Sequence, residues 1–217
     1  MSPKIVDREA RRAEIAGAAL DVFAKHGLDV SVDQIAKAAK IGKGTLYEYY
    51  NSKMELVIAS VLAFFQQIDQ LTQDVSQQFD NPEERLRFEV KQIAKTIHSS
   101  SQYSQIVIGV LRLAQTKEGR SLSKDLSRAV SRRFVRLVTN RILEGISQGV
   151  FRPEVAKDVE KLAINMIALA DGLWLKNYLD GTGFKPEEQL DFYLDLFFDH
   201  LRKAPSTEEE KDARPSS

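Results

Sequence analysis

The chain has 217 residues, of which 43% are apolar and 29% charged, and its 31 basic and 31 acidic side chains leave no formal net charge. That balance excludes a disordered polymer and leaves enough apolar material for a real core. The absence of cysteine excludes disulfides, thiolate chemistry and cysteine-held zinc, and it suits a reducing compartment. Zero net charge gives no global attraction for nucleic acid, and the stretch up to Lys53 holds only nine basic against seven acidic residues, so any positive field is local.

Apolar residues recur at helical spacing almost throughout, and no alternating strand pattern occurs, so an all-α fold of about nine helices is predicted. The charged N-terminus lacks the apolar centre of a secretory leader. A first helix is expected over about 6–26, with Ile15, Ala18, Ala19, Val22 and Phe23 on one stripe and Gly27 as its stop. Ser31-Val32-Asp33-Gln34 reads as a capping box, with Val30 and Ile35 as a hydrophobic staple, so a second helix runs over about 32–39. A short third helix follows over about 43–49. Ser52-Lys53-Met54-Glu55 is a second capping box and opens a long helix to about Phe79.

Asn81-Pro82-Glu83-Glu84 supplies a cap, a first-turn proline and acids at the positive end of the next helix. Helices are then expected over 82–98, 102–115 and 121–148. Gly149 and Pro153 precede an eighth helix over about 155–179, and Pro186 opens a ninth that ends near Lys203. The tail 205–217 has no large apolar residue and is expected to be disordered. The most apolar stretch, Leu162 to Leu175, is shorter than the about 20 residues a membrane span needs and contains Asn165 and Asp171, so a soluble, cytoplasmic protein with no membrane partner is the expectation.

The stretch from Val30 to Leu56 carries the most information. Ile35, Ala36 and Ala39 turn inward from one short helix, Leu46 and Tyr50 from another, and Ile41 plugs the turn between them. Such a pair leaves the start of the second short helix protruding with small or polar residues, a shape that enters the major groove. Thr45, Tyr47, Tyr49 and Lys53 are donors suited to phosphate oxygens, and Ser31 lies at a helix start.

This segment resembles the helix-turn-helix of the tetracycline-repressor (TetR) family, on Ser31, Ile35-Ala36, Ala39-Lys40-Ile41-Gly42 and the run Gly44-Thr45-Leu46-Tyr47-Glu48-Tyr49-Tyr50-Asn51-Ser52-Lys53-Met54-Glu55-Leu56. The resemblance implies that Lys43, Gly44 and Tyr49 meet base edges, while Ser31, Thr45, Tyr47 and Lys53 hold phosphates. Two positions depart from the family's pattern. Lys40 stands where a turn glycine is usual and is expected to take a left-handed backbone. Gly42 stands where a serine is usual and caps the recognition helix more weakly. Further on, Gly149-Val150-Phe151-Arg152-Pro153 and Ala170-Asp171-Gly172-Leu173 are similar to family segments around the eighth helix, extending the resemblance over about 8–203.

The expected organisation is a DNA-binding head over 1–53, a helical ligand-binding and dimerisation body over 54–204 and the tail. The eighth and ninth helices are apolar almost all round, which fits one side on the core and another on a second subunit; Leu162, Met166, Leu169, Leu173, Tyr193 and Phe197 are candidates for that homodimer interface. Phe64, Phe88, His98, Tyr103, Arg112, Phe134, Asn165 and Trp174 are candidates for a pocket that takes a small hydrophobic or amphipathic effector; for each aromatic residue taken singly plain core packing is the stronger reading, and for the polar ones the alternative is a satisfied hydrogen bond or a wet surface.

The three histidines are far apart and no phosphate loop, nucleophile elbow or metal-binding helix motif occurs, so no metal, cofactor or catalytic residue is expected. The function implied is a ligand-responsive regulator, by resemblance a repressor, that binds a palindromic operator in double-stranded DNA as a dimer. The readings set against it are a DNA-binding or adaptor protein without an effector and, third, a helical enzyme, which would need a cluster of titratable residues in one cleft.

Overall fold

A computed structural model describes residues 7–181 and 183–202. Nine α-helices account for most of them: α1 (Arg8–His26), α2 (Val32–Ala38), α3 (Lys43–Tyr49), α4 (Lys53–Ser76), α5 (Pro82–Ser99), α6 (Ser101–Ala114), α7 (Lys117–Ser147), α8 (Val159–Asp180) and α9 (Pro186–Leu201). The all-α expectation holds among these residues; the expected disorder of the tail lies outside them.

Most helix limits follow the caps that the sequence displays. Asp7 caps α1 through the amides of Glu9 and Ala10, and the Ser31–Gln34 capping box closes in both directions. The box at the start of α4 closes differently: Ser52 takes the Glu55 amide, but the Glu55 carboxylate accepts from Asn51 N–H at 2.8 Å, one residue earlier than the motif predicts. Two limits depart further. α7 begins four residues before the expected start because Thr116 caps the Gly119 amide at 2.9 Å, so this glycine belongs to the first turn and is no break. A Cβ on Gly119 would sit 2.2 Å from the Leu113 carbonyl oxygen, so the tight α6–α7 turn needs a residue without one. The run after Pro153 is a 3-10 helix, Pro153–Asp158, and α8 proper starts only at Val159.

The chain divides into two compact units, with boundaries at the end of α4 and inside α5 and α7. The first comprises residues up to Val75 and Gln92–Arg133. Its core gathers Ile15, Ala19 and Phe23 of α1, Ile35 and Ala36 of α2, Leu46 of α3, Tyr50, and Leu56 and Val57 of α4. Val110 and Leu113 of α6 pack against the same cluster. Gly109 allows this close approach, since a Cβ there would lie 2.6 Å from Leu28 Cγ. Further along, the Tyr103 ring stacks on Phe64 at 6.3 Å and meets Phe65 edge-on at 6.1 Å.

The second unit comprises Ser76–Lys91 and the chain from Phe134 onward. Phe151 is fully buried, stacked on Phe198 at 6.1 Å and lying over Gly145, where a Cβ would come within 2.2 Å of its ring. Glu89 is buried, and Arg141 matches it with two parallel bonds of 3.0 and 2.9 Å, then reaches Glu144 at 3.0 Å; Arg85 joins Glu144 from the other side at 3.2 Å. Near Arg202 the chain is latched to earlier parts of the unit: Arg152 N–H donates to the Leu201 carbonyl, and the Arg202 guanidinium pairs with Glu83.

Candidate nucleic-acid interface

The tripod α1–α2–α3 presents the motif that the sequence singles out. Between α2 and α3, Ile41 N–H reaches Ala36 O at 3.0 Å and Lys40 N–H reaches Lys37 O at 3.2 Å, the paired bonds of a Schellman ending. That ending puts Lys40 at φ 55°, the one left-handed non-glycine position among the described residues. Gly42 caps α3 with extended backbone and no side-chain bond, so the recognition helix starts with its first amides open.

The far end of α3 is held from α1, through two residues that sequence reasoning passed over. Arg8 donates to the Glu48 carbonyl at 2.9 Å and Arg12 to the Tyr49 carbonyl, which occupies acceptors that a helix end leaves unused. Arg12 also lies 4.5 Å over the Tyr50 ring and pairs with Glu55 at 3.0 Å, while the Tyr50 hydroxyl donates to the Arg12 carbonyl at 2.7 Å. The Asn51 amide and then Arg12 hold the Glu55 carboxyl below the usual carboxylate range, and burial pushes the Tyr50 phenol up. The available signal was the placement of Arg8 and Arg12 four apart on the polar side of α1.

Of the residues expected to touch DNA, Ser31, Lys43, Gly44 and Tyr47 are exposed, and the space around Gly44 is open. Thr45, Tyr49 and Lys53 are half-buried; the Tyr49 ring packs on the head core. Burial lowers the Lys53 ammonium from its ordinary range, partly opposed by the Asp29 carboxylate. Lys43 Nζ donates to Asp33 Oδ2 at 3.1 Å. Tyr50 is core, as its phase predicts.

The candidates for an effector pocket do not gather in one unit. In the first unit, Phe64 and Tyr103 are buried and in contact, His98 is half-buried, and Arg112 is exposed and 3.6 Å from Asp29. In the second, Phe88 is half-buried against Phe79 at 5.1 Å, Phe134 is half-buried, Trp174 is buried with Tyr178 stacked on it at 5.5 Å, and Asn165 is exposed. A groove of about 220 Å³ in the first unit runs between the turn Gly27-Leu28-Asp29 and Gln105, Ile108, Gly109, Arg112, Leu113 and Thr116; Arg112 is its only member among those candidates.

Of the interface candidates, Met166, Leu173 and Phe197 face the interior of the second unit, and Leu162, Leu169 and Tyr193 are half-buried. The apolar side chains turned outward are others: Ile164, Leu175, Tyr178 and Leu179 (70% exposed) on α8, and Phe192 (64% exposed) and Leu196 on α9. Helices apolar on every side give no phase, so sequence reasoning could not choose between the faces. Among the described residues no helix is long and apolar enough to cross a membrane.

Two short helices joined by a tight turn, braced by a third and open at the start of the second, define a helix-turn-helix transcriptional regulator. Residues 15–60 match the family described as bacterial regulatory proteins, tetR family. It is 23% identical over 204 residues to the HTH-type transcriptional regulator BetI of Pseudomonas paraeruginosa, an alignment that covers 93% of this chain and 98% of that one. Among solved structures, a TetR transcription regulator from Haloarcula marismortui superposes with a TM-score of 0.69 at 18% identity, over 90% of this chain and all of that one. The transcriptional regulator FadR from Bacillus subtilis, solved in complex with stearoyl-CoA, superposes with a TM-score of 0.65 at 18% identity, over 87% of this chain and 98% of that one.

Proposed function

We propose that this regulator is a repressor that binds a palindromic operator as a homodimer and is released by a small hydrophobic or amphipathic effector. The observation that carries the DNA reading is the exposed start of α3, with Lys43, Gly44 and Tyr47 free of the core, on a recognition helix whose far end is braced from α1. Two such helices would enter successive major grooves about 34–36 Å apart. Lys43, Gly44 and Tyr49 would face bases; Ser31, Thr45, Tyr47 and Lys53 would hold phosphates. Residues 1–53 would form the DNA-reading part, and 54–204 the part that binds effector and partner.

Two observations support an effector. The related fold of Bacillus subtilis FadR was solved with stearoyl-CoA, and the packed interior around Phe64, Phe65 and Tyr103 is apolar and aromatic, a lining that would suit an acyl chain once α4 and α6 part to admit one. α6, which carries Tyr103, also presses Gly109 and Val110 onto the head, so a change in its position is felt by the DNA-reading helices. A tilt of α4 and a shift of α6 would together alter the spacing of the recognition helices. A near-complete switch requires the effector to favour the released arrangement by about 5.5 kcal/mol.

Footprinting on DNA flanking the protein's own gene, at two salt concentrations, tests the first part: a protected inverted repeat that weakens steeply with salt is expected. Lys43→Ala should relax base preference, whereas Lys53→Ala should weaken all sequences alike and flatten the salt dependence. Adding stearoyl-CoA or shorter acyl thioesters to the complex tests the second part. A protected operator that no such compound releases would favour the reading without an effector.

A further inference from the structure

The pair formed by Lys43 and Asp33 has no structural need behind it. Both side chains are more than half exposed, and an ion pair so open to water adds almost nothing to folding. An acid in the first turn of α2 suits the positive end of that helix, which accounts for Asp33 alone but not for a lysine from α3 laid against it. An acid beside the leading residue of a recognition helix also weakens attraction to any phosphate backbone.

From this juxtaposition we infer that Asp33 and Lys43 act as one reading unit and that it selects a single G·C pair in each half-site. This rests on the operator reading above. The ammonium has three N–H donors; Asp33 Oδ2 takes one at 3.1 Å and two remain. The other carboxylate oxygen, Oδ1, stays available as an acceptor. The unit therefore offers two donors followed by an acceptor. Across the major groove, guanine presents two acceptors, N7 and O6, and its cytosine then presents the N4 donor. Adenine and thymine present acceptor, donor, acceptor and methyl, which meets the unit correctly at one end only. Asp33 thus holds Lys43 over guanine, reads cytosine itself, and repels sequences that set an acceptor in its place.

The test is selection from randomised double-stranded DNA with the full-length wild-type protein and with Asp33→Ala, Asp33→Asn and Lys43→Ala, each checked by thermal melting for an unchanged fold. The wild type should enrich an inverted repeat with one invariant G·C per half-site. Asp33→Ala should keep the repeat but lose about tenfold in discrimination at that position. It should also bind random-sequence DNA more tightly, because one negative charge per subunit has left the surface. Asp33→Asn should move the preference toward A·T, since a carboxamide pairs with adenine N6 and N7. Lys43→Ala added to Asp33→Ala should remove nothing further there. A repeat selected identically by wild type and Asp33→Ala, or a uniform loss of affinity with base preference intact, would overturn the inference and leave the operator reading standing. A wild type that selects no sequence would remove both.

Discussion

Lys40 pays a conformational cost that a glycine would avoid. A left-handed backbone disfavours an L side chain by about 1–2 kcal/mol, and the greater freedom of glycine in the unfolded chain offsets part of this. Lys40→Gly should therefore stabilise the protein by about 1 kcal/mol and raise Tm by about 2–4 °C in a thermal scan. A serine for Gly42 should give only a few tenths of a kcal/mol, because glycine already fits that extended position. Glu55 supplies a pH handle. Its folded-state pKa is depressed, so its contribution is present above the unfolded carboxylate range and is lost as pH falls through the folded value. The difference in Tm between wild type and Glu55→Gln should be full at neutral pH and should shrink in acid until the two melt together; a difference that stays constant into acid would deny Glu55 this role. At this scale the site was partly legible. The left-handed Lys40 follows from the resemblance, which puts a glycine at that turn, and the inward Tyr50 from local spacing, whereas Arg8 and Arg12 act on residues about forty positions away, and no local pattern reports such a partner.

At the scale of the helix, limits set by side-chain caps were readable and limits set by neighbours were not. Ser31 and Gln34 announce α2 by themselves. Gly119 falls between the helices that the sequence leads one to expect, yet it is the residue that lets α7 follow α6 so closely. Two other helical glycines are contact points, and the rigidity of what they touch separates their effects. Gly145 faces the buried Phe151 ring, which is locked by Phe198 and has nowhere to go, so Gly145→Ala should destabilise by about 2 kcal/mol in urea unfolding. Gly109 faces the Leu28 side chain, which can rotate, so Gly109→Ala should cost less in unfolding. Its larger effect should appear in operator affinity, measured by titration, because it moves α6 against the head. Equal losses of stability in the two variants would contradict this ordering.

For the whole molecule, the fold class was plain from periodicity, but the assignment of faces on α8 and α9 was not. Burial picks out Met166, Leu173 and Phe197 for the interior and leaves Leu179, Phe192 and Leu196 outside. Such a concentration of exposed apolar surface in one unit is unusual for a lone subunit. If it is where two copies meet, Leu196→Glu should yield a monomer by sedimentation equilibrium and lose cooperative operator binding, while its helical content stays unchanged. A dimer that survives Leu196→Glu and Phe192→Glu together would put the interface elsewhere.

The latch at Arg202 also orders events in time. Synthesis delivers residues in sequence, and everything the first unit packs has been made once Arg133 is added. Ser76–Lys91, made earlier, must wait far longer, since Glu83 meets Arg202 and the Arg152 amide meets Leu201 only after α9 is complete. A nascent chain therefore holds a complete DNA-reading head while the start of α5 is still unsatisfied, and that interval is when a chaperone would find its apolar side uncovered.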